Sequence, residues 1–127
     1  MATPRQLLSI CIDARRTWRA LLGALLVVVS YLALSPDPPP YIDTGWDKAN
    51  HVLAFCALAS AARFGFGASR WKLGAIVLGL VAYGVLIEVA QSFVPGRFAE
   101  FGDVVADTVG IGLGLVLAWG TLRLRQR

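Results

Sequence analysis

The segment LGAIVLGLVAYGVLIEVAQSFV, residues 73–94, constrains this chain more than any other. It matches the roughly 20 predominantly apolar residues that a bilayer core asks of a helix. Yet it carries Glu88 and Gln91, and after Pro95 and Gly96 the chain resumes with Arg97, Glu100, Asp103 and Asp107. An ionisable group inside a membrane costs roughly 3 kcal/mol or more, and it tends to mark a site or an internal pair. Any fold for this chain has to place that segment in lipid and give its polar groups company.

Composition agrees with a membrane solvent. Of 127 residues 57% are hydrophobic, and the mean hydropathy is +0.64, well above what a soluble domain of this size needs to fill one core. The apolar runs are too long and too numerous for a cleaved signal peptide, and no small-residue cleavage site follows the first of them. No second domain, low-complexity tract or repeat is visible. Cys11 and Cys56 sit in apolar surroundings with no His or Cys at metal-ligand spacing, so both read as small buried hydrophobes.

Four helices are expected, at about residues 19–34, 48–64, 73–94 and 103–122, forming an all-α integral membrane four-helix bundle in a single domain over 1–127. The stretch LLSICI at 7–12 reads as an interfacial segment ahead of the first helix, which SPDPPP ends because successive prolines cannot continue a helix. The second segment is short and rich in small residues, which suits a helix packed inside the bundle. Ala75 and Gly79 on the third, and Gly110, Gly114 and Ala118 on the fourth, repeat small residues at four-residue spacing. That spacing lets helix backbones approach closely, so both helices are expected to pack within the bundle.

Charge sets the expected orientation. Arg5, Arg15, Arg16 and Arg19 precede the first span, Arg63, Arg70 and Lys72 lie between the second and third, and Arg123, Arg125 and Arg127 end the chain. The other two connections hold only Lys48 and Arg97 among the 12 basic residues. The positive-inside bias therefore puts both termini and the middle loop in the cytoplasm. The net charge of +4 is spread over membrane flanks rather than gathered on one surface, so no nucleic-acid partner is expected.

With that orientation the polar residues meet in one outer layer. Asp47, Lys48 and His51 open the second helix, Glu88 and Gln91 lie near the end of the third, and Asp103 and Asp107 open the fourth. Residues three or four apart share a helix face. At about 1.5 Å per residue, Glu88 lies roughly 10 Å below the Pro95 break, while His51 and Asp107 lie about 6 Å into their helices. Asp107 shares a side with Gly110 and Gly114, which predicts an inward aspartate. Asp47 and Asp103 also stand where N-caps belong, His51 reads equally as a buried histidine, and Arg97 as a snorkelling side chain. Glu88 is the hardest to explain structurally, since leucine would serve a helix in GVLIEVA as well.

The same residues carry a family resemblance. DKANHVLAF at 47–55, EVAQ at 88–91 and VPGRFAEFGDVVADTVG at 94–110 resemble the VanZ-like family of small bacterial membrane proteins over about residues 25–122. The family pattern pairs D-K-x-x-H with Glu-x-x-Gln, a Pro-Gly-Arg turn, and an Asp followed four residues later by Asn before a Gly. Asp47, Lys48, His51, Glu88, Gln91, Arg97 and Asp103 match it one by one; Asp107 departs, standing where the family more often has asparagine. The resemblance implies a multi-pass protein of the bacterial inner membrane, related to one that lowers sensitivity to the glycopeptide teicoplanin.

Three functions compete. The first is an outward polar pocket that binds or modulates an envelope lipid or lipid-linked cell-wall precursor, with Asp47, Lys48, Gln91, Arg97, Asp103 and Asp107 binding; the planar fork of Arg97 suits a phosphate. The second is an intramembrane enzyme acting on such a headgroup, with Glu88 and His51 as acid and base. A hard cation on Asp103, Asp107 and Glu88 belongs to that reading, but no metal site and no cofactor are assigned. No nucleophile motif supports it, and Ser92 reads as back-bonded to its own helix. The third is a proton-coupled transporter, for which four short helices leave little room unless the protein forms an oligomer.

Overall fold

A computed structural model of the chain describes residues 6, 14–37 and 46–126. Those residues form four helices and no strand: α1 (Arg15–Leu34), α2 (Asp47–Phe66), α3 (Arg70–Gln91) and α4 (Phe101–Gln126). The expected interfacial stretch 7–12, together with Cys11 and most of the proline run, lies outside the described residues.

All four expected helices are present, and the differences lie at their ends. The first begins at Arg15 rather than Arg19, so its arginines form an added turn on the helix itself. The third stops at Gln91 rather than running to Val94. Pro95 lacks an amide donor and disfavours helical backbone at the residue before it. The chain therefore winds out through tight turns, with the amides of Phe93, Val94 and Arg97 bonded to the carbonyls of Ala90, Gln91 and Val94. Gly96, at φ 81°, completes this exit in a conformation that other residues rarely adopt. At the other end of the molecule Gly67, at φ 91°, stops α2 and returns its amide to the Arg63 carbonyl.

The second helix is the centre of the assembly, as its small residues suggested. Phe55, Leu58, Ala59 and Ala62 are fully buried and meet Ile76 and Leu80 of α3 and Ile111 of α4. The glycine reading needs one correction. A methyl group on Gly110 would strike the Val52 carbonyl, and one on Gly114 the Cys56 carbonyl. The close approach thus joins α4 to α2, while Gly79 has nothing near it and Ala75 is exposed. Spacing identified the small stripe of α4 and could not say which neighbour it meets.

Side chains tie the remaining helices. The Tyr83 hydroxyl of α3 donates to the Leu26 carbonyl and shares a hydrogen bond with Ser30 of α1. At the end rich in arginine, Arg19 donates to the Gly65 carbonyl, joining α1 to α2. The outer faces are as apolar as the interior: Val27, Leu78, Leu86 and Val116 are all well over half exposed. α1, α3 and residues Phe101–Leu124 of α4 are each long and apolar enough to cross a membrane. Such surfaces would be a liability in water and match a hydrocarbon solvent.

Candidate functional site

The end of the bundle where α2 and α4 begin and α3 finishes holds a buried polar cluster. Its core is His51, which α2 aims inward from its second turn. The His51 ring donates Nδ1–H to Oδ1 of Asp107 at 2.7 Å. Asp107 in turn is placed by α4, one turn before Gly110, and it is 1% exposed. The other ring nitrogen, Nε2, lies 3.9 Å from Oε1 of Glu88. Three helices therefore converge on one imidazole.

Glu88 works in two directions. Its Oε2 accepts the Glu100 amide at 3.0 Å, which pins the loop leading into α4 to the end of α3. Its Oε1 has no hydrogen bond, although only 6% of the residue is exposed. Asp103 is as deeply buried as Asp107, with Oδ1 unbonded and 3.5 Å from the Lys48 ammonium. The Gln91 Oε1 and Asp107 Oδ2 atoms also lack donors. The cluster thus holds a surplus of acceptors over donors, which in a buried site asks for a proton, a cation or a donor-rich ligand.

The rim is built from residues nearer the surface. Lys48 bonds Oε2 of Glu100 at 2.8 Å, and the neighbouring ammonium holds the Glu100 carboxyl below the usual carboxylate range. Asp47 is exposed at the first position of α2, and one oxygen each from Asp47 and Asp103 and one ring nitrogen of His51 lie within 4.8 Å of one another. Neither aspartate acts as an N-cap: α2 has Trp46 at that position with no side-chain cap, and Asp103 lies inside the first turn of α4.

Two residues singled out from the sequence turn toward the backbone of α1. Arg97 donates from Nε to the Ser35 carbonyl at 3.0 Å and from Nη2 to the Leu32 carbonyl at 2.8 Å. Gln91 donates to the Ala33 carbonyl at 3.0 Å. Together they satisfy carbonyls at the C-terminus of α1 that have no partner within that helix. The guanidinium fork expected to meet phosphate is thus occupied by the last turn of α1. Ser92 bonds back to the Val89 carbonyl, as its sequence context suggested.

Sequence reasoning missed two participants. Glu100 supplies both the amide for Glu88 and the carboxylate for Lys48. It lies in the irregular stretch between Pro95 and α4, where no helical period marks which side chains point inward. Gly84 is the other. A methyl group on Gly84 would run into Oδ2 of Asp107 and crowd Phe55, so the bare α3 backbone is what admits the Asp107 carboxylate.

A family model described as VanZ/LLP1 matches residues 13–124. The chain belongs to the VanZ/LLP1 family. The match includes α1, which the motifs alone did not cover, and it makes the apolar helices those of a VanZ-like membrane protein. No curated protein and no solved structure matches the chain.

Proposed function

We propose that this VanZ-like protein uses the polar cluster as an outward-facing site for the headgroup of an envelope lipid or lipid-linked cell-wall precursor. The observation that carries this reading is the surplus of buried acceptors. Glu88, Asp103 and Asp107 each present a carboxylate oxygen without a hydrogen bond, at one end of an otherwise apolar bundle. Hydroxyl and ammonium groups of a headgroup supply the missing donors, and Lys48 at the rim supplies a partner for an acidic group. The basic residues clustered at the opposite end of the helices support the outward orientation. An effect on teicoplanin sensitivity is the corresponding phenotype, because that antibiotic acts on precursors outside the membrane.

A second reading has one specific observation in its favour. A histidine oriented by Asp107 on one ring nitrogen and facing Glu88 with the other has the layout of an acid–base pair. Native mass spectrometry of the gently solubilised protein separates the two. The binding reading predicts a discrete retained lipid that is lost in Lys48→Ala. A heavier species accumulating in Glu88→Gln alone identifies turnover by the wild type. The same mixed lipids in all three proteins would make the cluster structural and remove both readings.

A further inference from the structure

We infer that Asp47, His51 and Asp103 form a site for a single divalent transition-metal ion. Three features of the cluster converge on a cation. The first is geometry: one ligand atom from each of the three residues falls within 4.8 Å of the other two, a separation that a central ion bonded to all three requires. The second is the presence of buried oxygens with no hydrogen bond. Oδ1 of Asp103 and Oε1 of Glu88 both belong to residues more than nine-tenths buried, the latter atom 3.9 Å from Nε2 of His51. The third is the hydrogen bond from Nδ1–H of His51 to Asp107, the outer contact that fixes the tautomer and orientation of a metal-binding imidazole.

Charge gives the same answer. Among the described residues the cluster gathers five carboxylates, Asp47, Glu88, Glu100, Asp103 and Asp107, with Lys48 beside Glu100 and Asp103 and His51 beside Glu88 and Asp107, since Arg97 is turned to the carbonyls of α1. Lys48 approaches Asp103 only to 3.5 Å while it bonds Glu100 at 2.8 Å. A mixed set of one imidazole and carboxylates suits Zn²⁺ or Mn²⁺ better than Mg²⁺, which prefers oxygen and keeps its water. Asp47 is exposed, so the ion is reached from the surface of the bundle. This inference rests on the cluster being a working site, and its test uses no envelope ligand, so it can fail while the headgroup reading stands.

The test is metal content and affinity of tag-free protein in detergent, stripped with chelator and re-equilibrated with Zn²⁺, Mn²⁺ or Mg²⁺. The wild type is expected to retain about one equivalent of Zn²⁺ or Mn²⁺ and to gain thermal stability from it, with little effect of Mg²⁺. Asp47→Asn, an exposed change that leaves the fold in place, should weaken binding by at least tenfold. Asp107→Asn, which keeps an oxygen for His51 but removes the carboxylate charge behind the imidazole, should weaken it by about 10-fold. Lys48→Met, which removes the competing ammonium, should strengthen it. Retention no greater than in an Asp47→Asn/Asp103→Asn double variant would overturn the inference, and so would equal affinity in wild type and Asp47→Asn.

Discussion

The Asp107 carboxylate places one oxygen on His51 and the other against Gly84, and this division predicts how substitutions at that position behave. Asp107→Ala leaves the Nδ1–H of a buried histidine without an acceptor and should destabilise the protein by about 1–3 kcal/mol. Asp107→Asn keeps an oxygen for His51 and should cost less than half of that. Thermal unfolding in detergent, with both variants beside the wild type, checks the order; equal losses would mean that His51 does not depend on the bond. The inward position of Asp107 was legible in the sequence because Gly110 and Gly114 mark the packed side of the same helix. The occupation of Arg97 was not, because its acceptors are backbone carbonyls more than sixty residues earlier, and no side-chain pattern announces a carbonyl.

At the scale of the helices, the contact of α4 on α2 depends on missing side chains. Gly114→Ala drives a methyl group into the Cys56 carbonyl and Ala59, and backbone cannot step aside as a side-chain tip can. Overpacking of that kind costs about 1–3 kcal/mol, more than the roughly 1 kcal/mol that alanine gains over glycine in a helix. Gly112→Ala, on the open side of the same helix, meets nothing within 4 Å and should be neutral or stabilising. The pair can be compared by thermal melts in detergent or by the fraction of protein surviving solubilisation. Loss in both variants would show that backbone flexibility, not close approach, is what α4 requires. Helix existence was readable from hydropathy for α1, α3 and α4, and for α2 from its run of small residues. Helix partners were not, because Ala75 and Gly79 offer the same spacing as Gly110 and Gly114 yet face away from the bundle. The end of α3 was misplaced by three residues because the apolar run continues through Phe93 and Val94, while the backbone already yields to Pro95.

For the whole molecule, one end of the bundle gathers carboxylates around His51 and the other gathers arginines. Between them an apolar surface encloses α2, whose buried face supplies most of the core. Within the bundle each buried acidic side chain meets a neighbour from another helix: Glu88 and Asp107 meet His51, and Asp103 meets Lys48. The central claim is that the carboxylate end faces outward, and cysteine labelling in intact cells tests it most directly. In a background with Cys11 and Cys56 replaced, a cysteine at Phe98, 82% exposed in the loop between α3 and α4, reports on one end, and a cysteine at Ala68, between α2 and α3, on the other. The account predicts that a membrane-impermeant maleimide labels Phe98→Cys in intact cells and Ala68→Cys only after permeabilisation. The reverse pattern would place the polar cluster on the cytoplasmic side and contradict its proposed encounter with an external headgroup.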